Sequence, residues 1–169
     1  KRKSVIETSR VPGKLADGSS TDPTESELFI VEGDSADGPA KQARESRVQA
    51  ILPIRGKIIN VQKVTENRAL QNEEISALIK AIGTGIKSQF NEEESRYDKI
   101  ILLTDADVEG ANMRTRLLTF FFKFMPDLIT TAKVCISAPA RYRVKASSGI
   151  PSYTDEQARS TFQTANNTQ

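Results

Sequence analysis

Apolar and polar positions fall into blocks along this chain, and the period of the pattern changes from block to block. "ELFIVEG" (Glu27–Gly33) is a short apolar run closed by an acid and a glycine, which predicts a buried strand. "DSADGPAKQARES" follows and predicts a helix with Asp34 or Ser35 as its N-cap. Proline is tolerated only in a first helical turn, so Pro39 makes Asp37 an equal candidate. "VQAILPI" predicts a second strand closed by Pro53, and "RGKIINVQK" a loop or short edge strand. In "NEEISALIKAIGTG" the apolar residues Ile75, Leu78, Ile79 and Ile82 recur at helical spacing, with Gly83 where a C-terminal cap belongs. "YDKIILLTDAD" predicts a further strand, "NMRTRLLTFFFKFM" a helix stopped by Pro126, and "KVCISAPARYRVKAS" one or two more strands.

Strands alternating with helices predict an α/β fold with a mainly parallel central sheet flanked by helices. Residues 1–26 are polar and carry Pro12, Gly13, Gly18 and Pro23, the composition of a linker entering the domain. Residues 146–169 are polar again and read as a partly disordered C-terminal segment, which leaves 27–145 as the domain proper. With 169 residues the chain is long enough for one domain with a real core.

Composition narrows the chemistry mainly by what is missing. No histidine is present, which removes imidazole acid–base catalysis and most catalytic zinc sites. One cysteine, Cys135, excludes an internal disulfide and a thiolate cluster; it reads as a small buried hydrophobe. Net charge is only +2, so any nucleic-acid surface has to be local. "KRKSVIETSR" lacks the apolar run of a signal peptide. "LLTFFFKFM" is too short to span a bilayer and contains Lys123. These features predict a soluble, cytoplasmic chain with no membrane partner.

Two acidic motifs close apolar strands. Glu32 ends the first, in "IVEGDSA"; Asp105, Asp107 and Glu109 follow the later one, in "IILLTDADVEG". Sites in open α/β sheets form beyond the carboxyl ends of strands. If 105–109 stays extended, period-2 alternation places its three carboxylates on one side, within reach of Glu32. Like charges so placed need a cation, and an all-oxygen donor set suits magnesium. "RGK" supplies Arg55 and Lys57 after a proline turn, and Arg114 enters the helix after the acidic motif. These three read as facing phosphate, whereas Arg116, Lys41 and Arg44 read as solvated surface charge. Tyr97, Tyr142 and Tyr153 read as packing residues.

Taken together, "PGKLAD", "EGDSA", "QAILPIRGKIINVQK", "IILLTDADVEG" and "RTRLLTFFFKFMP" closely resemble the Toprim domain in the B-type, ATPase-bearing subunits of bacterial type II DNA topoisomerases, gyrase and topoisomerase IV. The resemblance covers roughly residues 2–145. It implies a magnesium-binding DNA cleavage–religation domain that acts in an A2B2 heterotetramer on duplex DNA. There a tyrosine of the A-type subunit attacks the phosphodiester. It further implies Glu32 as metal ligand and general acid/base, Asp105 and Asp107 as metal ligands, Glu109 as a residue behind the ligands, and a drug-pocket-like pair in Asp34 and Arg55. ATP would be bound only by the family's ATPase module, which this chain does not carry; the chain looks like an excised domain, inactive by itself, of a nucleoid-associated enzyme.

Departures from the family pattern point to a divergent paralogue. Glu109 replaces an aspartate, Ala111-Asn112 replaces Ser-His, Asp37 replaces a glycine and adds negative charge near incoming DNA, and "APARYRVK" replaces a more typical "PPLYK". They motivate one alternative, a Toprim-like module that docks without cutting. A second alternative is a haloacid-dehalogenase-type phosphatase, because "IILLTDADV" fits that family's nucleophile motif with Asp105 as nucleophile and Asp107 as acid. Here, however, the second acidic motif lies upstream rather than downstream.

Overall fold

The computed structural model describes residues 11–33, 36–137, 142–143 and 152–153. Its centre is a four-stranded sheet of β1 (Glu27–Glu32), β2 (Gln49–Ile54), β3 (Lys99–Leu103) and β4 (Val134–Ile136), in the order β2-β1-β3-β4. All three pairings are parallel, with Val31 opposite Pro53 on one side and Leu103 on the other. The α/β architecture with a mainly parallel sheet is therefore as the pattern predicts. Pro53 does not close β2 but lies within it. It is tolerated because β2 is an edge strand, where a missing N–H breaks no ladder. Tyr142–Arg143 and Ser152–Tyr153 form a separate antiparallel pair, β5 and β6.

Five α-helices complete the described chain: α1 (Asp37–Ala43), α2 (Glu66–Gln71), α3 (Glu73–Ile82), α4 (Val108–Phe124) and α5 (Pro126–Thr130). Alternation along β1 sends Leu28 and Ile30 into the main core, where they are fully buried with Leu78 and Ile82 of α3 and Leu117, Phe120 and Phe124 of α4. Phe120 and Phe121 meet edge to face at 5.2 Å, a favoured aromatic geometry. Asn72 caps α3 by accepting the N–H groups of Glu74 and Ile75, and Gly83 ends it with φ of +85°, a left-handed conformation that glycine adopts without strain. Thr65 caps the short α2, which no apolar stripe announces. Pro126 both stops α4 and opens α5 as its first residue, since a first-turn N–H has no helical partner to lose. At α1 the cap differs from expectation: Ala36 takes the position without a side-chain bond, and Asp37 is the first helical residue. Asp34 and Ser35 lie outside the described residues.

The segment before β1 reaches the outer edge of β2 at Ala16. Ala16 exchanges two backbone hydrogen bonds with Ile51, both 2.9 Å, and Leu15 packs on the core. Arg44 donates to the carbonyls of Ala16, Asp17 and Gln49 at 3.0, 2.9 and 2.8 Å, so its charge serves as a clamp rather than as solvated surface. The Asp17 carboxylate accepts the Tyr97 hydroxyl at 2.8 Å and pairs with Arg96. Tyr97 is thus a packing residue, and burial pushes its phenol well above the ordinary value. Cys135 is half-buried rather than buried, its Sγ 3.8 Å from the Ala132 carbonyl.

Candidate functional site

Glu32 and Asp105 come together because β1 and β3 are hydrogen-bonded neighbours running the same way. Glu32 ends β1, Asp105 follows β3 by two residues, and the Glu32 Oε1 accepts the Asp105 backbone N–H at 3.0 Å. Beyond Asp105 the chain does not stay extended. Asp107 is the N-cap of α4, its Oδ1 accepting the Gly110 N–H at 2.7 Å, and the helix begins at Val108. Glu109 therefore reaches the site from the first helical turn and not by strand alternation. The turn is tight: a Cβ on Gly110 would stand 2.1 Å from the Asp105 carbonyl oxygen, so only glycine fits.

Glu32, Asp105, Asp107 and Glu109 line one cleft of about 480 Å³, together with Lys57 and Arg116. The Glu32 carboxyl titrates above the usual glutamate range. Burial is the largest cause and the charges of Asp105 and Asp107 add to it, while the Asp105 N–H bond acts the other way. Among the described residues no three acids stand as a ready-made cage for an ion. The donors are all oxygens, crowded and negatively biased. They suit magnesium, which takes oxygen ligands and completes its shell with water and phosphate.

Residues 27–138 of the chain match the family described as the Toprim domain. The chain belongs to the Toprim domain family. It is 56% identical over 145 residues to the B subunit of the type 2 topoisomerase of Aquifex aeolicus, covering 86% of this chain and 18% of that protein. With the B subunit of the DNA gyrase of Thermotoga maritima it shares 55% over 146 residues, 86% of this chain and 23% of the other. With the B subunit of the Rickettsia typhi DNA gyrase the figures are 50% over 158 residues, 94% and 20%. The chain thus spans about a fifth of the length of these curated relatives.

The basic residues of this Toprim domain are sorted by the fold differently from the sequence reading. Lys57 lines the cleft. Arg55 is exposed at the rim, its side chain passing over Gly33, where a Cβ would lie 2.6 Å from its Cγ. Its backbone N–H points to Glu74 Oε2 at 3.4 Å. Arg114 turns to the buried Thr104, donating to its hydroxyl at 3.2 Å, and is not among the residues lining the cleft. Arg116, read from the pattern as surface charge, is in the cleft wall and donates to the Ile58 carbonyl at 2.7 Å. The only cue to it in the sequence is its spacing of seven from Glu109, two helical turns on the same face. The extra charge of Asp37 is met locally, by Lys41 at 2.9 Å and by Arg55 at 4.0 Å. Among the described residues no helix is long and apolar enough to cross a membrane.

Proposed function

We propose that this chain is the magnesium-dependent DNA cleavage–religation domain of a type II topoisomerase, acting on duplex DNA with a tyrosine supplied by an A-type partner in an A2B2 assembly. The observation that carries the reading is the junction of Glu32 with Asp105. Two acid-bearing strand ends are locked side by side at the mouth of a cleft that also holds Lys57 and Arg116. Glu32, Asp105 and Asp107 would hold magnesium, which when bound supplies charge stabilisation and positioning at the scissile phosphate. Glu32 ends β1 beside Asp105, which suits it to serve the departing 3′ oxygen as general acid and base as well as holding the ion. Asp107 keeps Oδ1 on the Gly110 N–H, which fixes the carboxylate that would help to hold the ion. Lys57 from the cleft and Arg55 from beside it would meet DNA phosphates, and Glu109 would orient water from the first turn of α4.

Single-turnover cleavage of a labelled duplex by the assembled enzyme tests this. Glu32→Ala, Asp105→Ala and Asp107→Asn, the last retaining an oxygen for the helix cap, should each lower the rate by about 10²–10³-fold. Glu109→Ala should cost only about 10–100-fold. Equal loss at Glu109 would place it among the direct ligands. Undiminished cleavage in all four would leave a docking module in place of an enzyme.

A further inference from the structure

We propose that Arg116 is a phosphate-binding residue of the cleft, holding the DNA backbone that flanks the scissile phosphate; this rests on the reading that the cleft receives DNA. Arg116 shares the cleft with Glu32, Asp105, Asp107 and Glu109, surroundings in which a guanidinium would be expected to collapse onto a carboxylate. Among the described residues it makes no such ion pair. Its Nη1 is held instead by the Ile58 carbonyl at 2.7 Å. That carbonyl is a fixed anchor, because Ile58 is 1% exposed and belongs to the core. A guanidinium carries five N–H donors in a rigid plane. With one engaged, the rest form a pre-oriented fork of the kind that grips phosphate oxygens in pairs.

Position decides which phosphate. Glu109 and Arg116 lie on one face of α4, seven residues apart, or about 10 Å along the axis at 1.5 Å per residue. Its backbone lies beyond the acids along α4, so we assign it a neighbouring phosphate rather than the one they hold. It stands within about three nucleotides of it for a strand running along α4, at about 3.4 Å per nucleotide. Lys123, a further seven residues on, supplies the contrast: it makes the same kind of bond, to the Val61 carbonyl at 2.7 Å, but does not line the cleft. Lys123 is a clamp on the loop after β2; Arg116 is a clamp with donors to spare at the site.

The test is the salt dependence of duplex binding by the full-length protein assembled with its A-type partner, measured with thermal stability for each variant. Arg116→Gln should lower the slope of log affinity against log salt by about 0.9, the share of one phosphate contact, and weaken binding alike on unrelated sequences. Arg116→Lys, keeping the charge, should retain the slope. Lys123→Gln should lose thermal stability and leave the slope unchanged. If Arg116→Gln behaves as Lys123→Gln does, Arg116 is only a clamp and the proposal fails. If Arg116→Gln does not fold, Arg116→Met keeps the apolar stem and is read in the same way. A wild-type assembly without salt-dependent duplex binding would overturn the functional reading itself, and this inference with it.

Discussion

Glu32 sits where its negative charge is least welcome, partly desolvated and facing Asp105 and Asp107, and its carboxyl holds its proton more tightly than a free glutamate does. The folded state then binds more protons than the unfolded chain over the interval between the two pKa values, so stability falls as pH rises through that interval. Above it the full penalty remains. Glu32→Gln keeps an oxygen to accept the Asp105 N–H and removes the charge, so it should melt higher than wild type at neutral pH. The gain should vanish as pH drops below the ordinary carboxylate range. Thermal melts across pH check this; a variant less stable than wild type at neutral pH would show that the hydrogen bond outweighs the repulsion. Added charge is handled differently at Asp37, where Lys41 and Arg55 stand close enough to offset it, so this departure from the family pattern brings its own counter-ions.

At the scale of elements, the joint between β3 and α4 controls the site. Gly110 admits the close approach of the Asp105 carbonyl, and Asp107 starts the helix within the acidic motif itself. Gly110→Ala must push the two apart, and overpacking of this kind typically costs about 1–3 kcal/mol. Urea unfolding should show a loss in that range, and cleavage should fall with it; an unchanged midpoint would mean that the turn is softer than its geometry implies. The same joint marks where reading from pattern stops short. Strand ends are legible because β1 and β3 are unbroken apolar runs with an acid after each, and α3 because its stripe is bounded by Asn72 and Gly83. The start of α4 is not, since Asp107 has equal use as a ligand and as a cap, and alternation cannot tell the two apart. Arg44 and Arg116 escape the pattern for a common reason. Both donate to backbone carbonyls of segments distant in sequence, and a carbonyl leaves no mark in the side-chain pattern.

For the molecule as a whole, the core and the site are separate. Leu28, Ile30, Leu78, Ile82, Leu117 and Phe120 are fully buried without any contribution from the acids, so folding should not depend on an ion. Chelation should leave the melting temperature of this chain within about 2 °C of its value in millimolar magnesium, since a ligand near its dissociation constant adds only about RT ln 2. Unfolding on chelation would mean that the carboxylates need the ion merely to coexist. The sheet order has a further consequence, in synthesis. Glu32 and Asp105 are 73 residues apart in the chain, and β1 meets β2 before β3 has been made. A nascent chain that has paired β1 with β2 therefore leaves the other edge of β1 open, an apolar strand rimmed by unpaired amides and carbonyls and ready to capture a foreign strand. The arrangement that brings the acids together only in the finished fold also makes the wait for β3 the interval in which this domain is most exposed to aggregation.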